Sequence, residues 1–389
     1  MSRNANHPRH QGLMLPAEIV LAPSWWHKHA GIRFDEDFFY HPVRRVECER
    51  KMEEVLYERW GQFGLGKDRD TTLPVVGAVH LAAGFLIQEM LGCQVEYKQD
   101  GPPQVIPANQ ETLELDIDQA FSSLAYRRFE RLLESLQEKY GYLVGDVNWG
   151  GVLNVALDLR GEHLFLDMAD KPDEVRHFFQ TLQAVIERFT THIQSQTGTT
   201  SISVNRTVAH FSRPVFLHSV CTHTMISTAD YRSYLMPMDV DWSRRIRPYG
   251  IHHCAPDAHR FAECYAEIPH LDFLDVGWGG EVKKLREHLP ETFLNIRLSP
   301  VEILRQTEQQ IHDTICRLVE DSGDPYRTGV CCINMDGNVE DAKITAIFET
   351  VRQLRQRIQT KRPPQRRIQE MSSPNKTMPD LAAKPKQKP

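Results

Sequence analysis

The sequence predicts an α/β fold, a (β/α)8 TIM barrel with N-terminal additions and a disordered C-terminal tail. Three observations carry this. The second half alternates strictly between short apolar strands and helices. Strand–helix units in series imply a parallel sheet with right-handed crossovers. The 389-residue length gives room for one large barrel. No Gly-rich phosphate loop follows any strand, which weighs against a dinucleotide-binding doubly wound sheet, the main rival.

The elements follow in order. Met52, Val55, Leu56, Trp60 and Phe63 repeat at helical spacing. The apolar stretch Pro74–Gly92 contains His80, Gln88 and Glu89, so it reads as a buried helix rather than a membrane span. Asp173–Ile193 places Val175, Phe178, Phe179, Leu182, Val185, Ile186, Phe189 and Ile193 on one helical face. Four units then follow: a strand at Tyr249–Cys254 with a helix after Pro256, a strand at Leu271–Gly277 with a helix around Val282–His288, a strand at Thr292–Leu298, and a strand at Thr328–Met335 with a helix from about Asp341 to Arg357. The third strand feeds a helix in which Ser299 caps, Pro300 takes the first position and Glu302 completes a capping box. Its stripe is Val301, Leu304, Ile311, Ile315 and Leu318, interrupted by Glu308.

Three segments result: a flexible N-terminus (1–15), a barrel domain (16–358) and a basic, Pro-rich tail (359–389). From Lys361 to Pro389 the tail holds six prolines, eight Lys/Arg and two acids, too little apolar surface to offset ordering entropy. The net charge is −6, from 46 basic and 52 acidic residues, and no basic stripe crosses the body, which argues against nucleic acid as a partner. The start, MSRNANHPRHQG, has no apolar core of a secretory signal, so a cytoplasmic protein is expected, with no membrane partner. The eight cysteines are then reduced thiols, core residues or ligands rather than a disulfide framework.

One stretch concentrates chemistry. "YGIHHCAPDAHRF" places His252 and Cys254 two apart at a strand end, so both side chains share a face. The C-terminal end of a barrel strand is where active sites sit. Three strands on, "GVCCINMD" carries Val330, Cys332 and Asn334 on one face and the more apolar Cys331, Ile333 and Met335 on the other. Cys332 is then the inward thiol. A bulged or early-ending strand would put Cys331 there instead. One imidazole and two thiolates suit zinc and leave a coordination position open. A thiol bound to zinc is deprotonated at neutral pH, so the chemistry implied is activation of a thiol or of water. Buried free cysteines are common on their own account, and the other histidines (His80, His210, His218, His223, His259) read as surface or core groups. Trp25 and Trp26 either roof a pocket or pack in the core.

With these residues placed, the chain resembles the uroporphyrinogen decarboxylase superfamily, and within it the branch of zinc- and corrinoid-dependent methyltransferases. The resemblance is carried by "GIHHCAPDAHRFAE", "LDFLDVGWGG", "FLNIRLSPVEIL", "MLGCQVEYKQDGPPQV", "GVLNVALDLRGEHLFLDMADKPDEV" and "GVCCINMD", spanning most of residues 74–357. That branch uses an H-x-C pair and a distant C-terminal cysteine as zinc ligands. Carried over, these are His252, Cys254 and Cys332 or Cys331. Ala255 stands where the branch usually has glycine, and the turn near the third ligand is replaced by Cys331–Cys332. The N-terminal arginine motif of the decarboxylases is not matched by Lys28, Arg33, Arg44 and Arg45.

The resemblance implies transfer of a methyl group from a methyl-corrinoid, held on a separate corrinoid carrier protein, to a small thiol substrate. Asp275 and Asp336 are the candidates for orienting His252 through its second ring nitrogen. Two alternatives come from other classes: a metal-free carboxy-lyase, and a non-catalytic barrel that binds a corrinoid or a partner.

Overall fold

A computed structural model describes residues 14–67, 85–141, 143, 149–198, 211 and 213–361. Six parallel strands form its central sheet: β1 (Ala17–Leu21), β4 (Phe216–Ser219), β5 (Tyr249–His253), β6 (Phe273–Val276), β7 (Phe293–Leu298) and β8 (Thr328–Met335). A separate antiparallel pair, β2 (Gln94–Glu96) and β3 (Gln104–Ile106), stands apart from it. The order across the main sheet is β1-β8-β7-β6-β5-β4.

Among the described strands that order is consistent with the wall of a barrel. From β4 to β8 each crossover moves to the next position in the same direction, and the first strand lies beside the last. Right-handed crossovers of constant direction put every helix on one face, leaving the other face as an interior. A doubly wound sheet reverses direction near its centre, and no reversal occurs among the described strands from β4 to β8. Strands that would complete a (β/α)8 barrel would fall between Leu21 and Phe216, where residues 68–84, 142, 144–148, 199–210 and 212 lie outside the described set.

Alternation along the strands separates two kinds of environment. Ile251, Leu274, Ile296 and Val330 are buried beneath the helical layer. Burial of each such side chain contributes roughly 1.5–3 kcal/mol. The opposite face carries His252, Asp275, Asn295, Arg297 and Cys331, the polar inner wall.

The four units of the second half form where expected, with the helix Val282–His288 at the expected bounds. The helix Pro172–Thr197 contains the Asp173–Ile193 stripe, and all eight of its apolar residues are buried. Leu86–Met90 is a short helix at the end of the 74–92 stretch; residues 74–84 lie outside the described set, as do 1–13 and 362–389. Trp25 and Trp26 pack edge to face in the core rather than over a pocket.

One expected helix is two. Pro300–Arg305 begins at Ser299, whose hydroxyl accepts from the Glu302 amide. It ends at Gln306, and Thr307 then caps a second helix, Glu308–Asp321, in a reciprocal capping box with Gln310. A capping threonine has extended backbone, so the chain turns there and Glu308 becomes a first-turn residue instead of an interruption in a stripe. Val301 is correspondingly exposed.

Candidate metal centre

The inner wall builds the site through register. His252 on β5 lies opposite Asp275 on β6, and Asp275 lies opposite Asn295 on β7. In-register residues of adjacent parallel strands project to the same side about 4.8 Å apart, so the three side chains form a row. Asp275 Oδ2 lies 2.6 Å from His252 Nδ1, and Asp275 Oδ1 accepts from Asn295 Nδ2 at 2.7 Å. The same Asn295 nitrogen reaches Cys331 Sγ at 3.3 Å. With Nδ1 engaged by a carboxylate, His252 keeps Nε2 for another partner.

That partner is a pair of thiols. Ligand atoms of Cys221, His252 and Cys254 all lie within 4.8 Å of one another. Cys254 follows His252 by two residues and shares its face. Cys221 arrives from β4. The Val220 amide donates to the His252 carbonyl at 2.9 Å, extending the β4–β5 pairing by one residue and setting Cys221 beside the histidine. Ser219 Oγ lies 3.4 Å from Cys221 Sγ. All eight cysteines are free thiols.

The electrostatics of the three donors are shared. Cys254, a hydrogen-bonding neighbour, pulls Cys221 well below the ordinary thiol range against the opposing effect of burial, with His252 adding to the pull. Its partner Cys254 is pushed up, by Cys221 first and burial second. Burial works against a charge on His252, but Asp275 and Cys221 outweigh it and raise the imidazole to about 9. Of the two thiols Cys221 is therefore the more acidic, and its charge and that of His252 favour each other. Two soft sulfur donors and one borderline nitrogen, backed by a carboxylate, fit zinc and leave a fourth position for a further ligand.

The residues expected in the site divide. His252 and Cys254 come together, and Asp275 is bonded to His252. Cys332 does not join them. It packs in the main hydrophobic cluster under the helices, with its thiol 3.8 Å from the Leu298 carbonyl. The face assignment in β8 is reversed: Cys331, in register with Arg297, lines the interior. The cause is Asn334. It is exposed, has φ +66° and sits where the β1–β8 register shifts. Its polarity marks a bulge at the strand end, not the inward face, so it cannot be used to set the alternation upstream. Cys331 lies behind Asn295 and is not among the three clustered donors. Asp336 also lies apart, accepting from the Asn338 amide at 2.7 Å in its own turn.

Cys221 was missed because β4 was. Its sequence "VFLHSVC", bounded by Pro214 before it and by the capping Ser227 well after it, alternates over few residues. His218 on β4 faces outward, bonded to Asp239 at 2.7 Å and accepting the Val152 amide. His223 is buried among Tyr231 and Phe261, and His259 pairs with Glu281 at the surface. His80 and His210 fall outside the described residues. No helix among the described residues is long and apolar enough to cross a membrane.

No protein-family model matches the chain, and no curated protein matches it in sequence. Solved structures do. A methyltransferase from Methanosarcina mazei superposes with TM-score 0.60 at 13% identity, covering 88% of this chain and 94% of that one. A B12-independent methionine synthase from Shewanella sp., in complex with selenomethionine, superposes with TM-score 0.52 at 7% identity, covering 90% of this chain and all of that one (100%). At such identities the likeness shows the fold: this chain shares the architecture of these two proteins over most of its length.

Proposed function

We propose that this protein is a zinc-dependent methyltransferase acting on a thiol, with Cys221, His252 and Cys254 as the metal ligands and the sheet as the wall of a (β/α)8 barrel. The observation that carries the reading is the convergence of these three donors within 4.8 Å beside a carboxylate-held imidazole. Both solved structures named above, by their descriptions, belong to enzymes of methyl transfer or methionine synthesis, and the sequence resembles the corrinoid-dependent methyltransferase branch.

Bound zinc would supply Lewis acidity that keeps a substrate thiol deprotonated at neutral pH. The chain's own groups do the rest. Cys221 and Cys254 provide two thiolates. His252 presents Nε2 because Asp275 holds its other nitrogen, and Asn295 holds Asp275. The substrate sulfur would take up a methyl group, and a methyl-corrinoid donor would supply it and keep the bonding electron pair as the leaving group. In this reading the corrinoid is carried by a separate protein docked over the strand ends.

Metal content of the purified, reduced protein tests the assignment. About one zinc per chain is expected, lost in Cys221→Ser and in Cys254→Ser and kept in Cys331→Ser. Zinc retained at full stoichiometry in Cys221→Ser would overturn this ligand set.

A further inference from the structure

Two of the three clustered donors are placed to bond to each other. The β4–β5 register pairs Ser219 with His252, and the Val220 amide carries the pairing one residue further. Two residues on from the Ser219–His252 pair, Cys221 stands beside Cys254, with both side chains on the inner face. Neighbouring strands run about 4.8 Å apart, inside the roughly 4.4–6.8 Å between Cα atoms that a disulfide spans. The two sulfurs lie within 4.8 Å of each other and share a hydrogen bond. Closing them to bonding distance takes side-chain rotation rather than movement of either strand.

Access sets this pair apart from the other thiols of the sheet. Cys221 and Cys254 are half-buried, whereas Cys331 and Cys332 are fully buried. Cys331 and Cys332, though adjacent in sequence, also point to opposite faces of β8. A small oxidant arriving over the strand ends therefore meets first the two sulfurs that can pair. Thiol oxidation follows exposure, and a thiol with a second one in reach resolves to a disulfide instead of passing on to irreversible sulfinic acid.

We propose that Cys221 and Cys254 form a reversible disulfide when the protein meets hydrogen peroxide, so that oxidation switches the site off. One thiolate attacks the peroxide: an S–O bond forms, the O–O bond breaks, and hydroxide leaves with the electron pair. The second thiolate attacks the sulfenic sulfur so made: the S–S bond forms, the S–O bond breaks, and a second hydroxide leaves. The two thiol protons turn both hydroxides into water, so the pair of sulfurs is oxidised and one peroxide is reduced. The bridge leaves His252 as the one member of the three able to hold a metal. That zinc is what leaves rests on the methyl-transfer reading; the disulfide does not.

Hydrogen peroxide added to the reduced protein, both zinc-loaded and stripped by a chelator, tests this. Free thiols should fall from eight to six, the intact mass should drop by two hydrogens, and peptide mapping after alkylation should find one Cys221–Cys254 bridge. Dithiothreitol should restore all eight thiols. The loaded protein should release its zinc to a chromophoric chelator in step with bridge formation. Cys254→Ser should stop at a sulfenic acid on Cys221 that dimedone traps. A bridge between other cysteines, sulfinic acid at Cys221 with Cys254 left free, or no loss of thiols in the stripped protein overturns the proposal. Zinc released while both thiols stay reduced overturns it too, and leaves the ligand set standing. A Cys221–Cys254 bridge in protein that takes up no zinc supports the disulfide and sinks the metal reading alone.

Discussion

Asp275 Oδ2 sits 2.6 Å from His252 Nδ1, and the two residues are direct partners in the β5–β6 register. The contact is therefore built into the strand pairing and needs no loop to hold it. A carboxylate behind a ligating histidine fixes the ring and raises its basicity. The finding turns an H-x-C pair, which alone says little, into an oriented donor set.

Asp275→Asn should keep the fold and lower zinc affinity about 10–100-fold, the usual effect of losing such a supporting group. Competition with a chromophoric chelator measures it. Affinity equal to wild type would show that His252 is oriented by its packing alone.

Cys332→Ala should leave zinc content unchanged and cost stability instead. The thiol is fully buried in the apolar cluster between sheet and helices. Removing its sulfur leaves a small void, for which about 1 kcal/mol is expected. Chemical denaturation and metal analysis on the same sample read both effects. Loss of zinc without loss of stability would return Cys332 to the ligand set.

Much of this was legible in the sequence, and the failures have separate physical causes. Strands β5 to β8 and the helices after them announce themselves because apolar runs end at Gly, Pro or capping residues. His252, Cys254 and Asp275 could be placed because i and i+2 alternation holds along an unbroken strand. It failed at β8, where Asn334 in a left-handed conformation shifts the register. Helical spacing misled at Thr307, where a second cap divides one amphipathic stripe. Cys221 was invisible for a different reason. Its nearness to His252 comes from the pairing of β4 with β5, a contact across 31 residues that no local pattern encodes.

Gly277→Ala should disturb the metal centre from the side. A Cβ built at Gly277 would lie 2.0 Å from the Ala255 carbonyl oxygen and 2.7 Å from the Cys254 carbonyl carbon. Those are backbone atoms, so relief requires moving the segment that carries Cys254. A loss of about 1–3 kcal/mol in stability is expected, as for other forced overpacking, together with weaker zinc binding. Full affinity in a stable Gly277→Ala protein would mean that the strand ends can part without displacing Cys254.

Acid should expose a second device next to the site. Asp257 carries a carboxyl drawn down to about 2, first by its hydrogen bond with His253 at 3.1 Å and further by charge from His253 and Arg260. Its folded value is below the ordinary 3.8, so the ionised form is favoured by folding. The sign follows: this stabilisation is complete above about pH 4 and is lost as pH falls through about 2. The Asp257 side chain is 23% exposed, so screening reduces the effect. His253 is the neighbour of His252 on the opposite, helix-facing side of β5, which ties this contact to the strand bearing the ligands. Asp257→Asn should therefore unfold with a shallower pH dependence between pH 4 and pH 2 than wild type. Identical slopes in denaturant titrations across that window would remove Asp257 from the acid response.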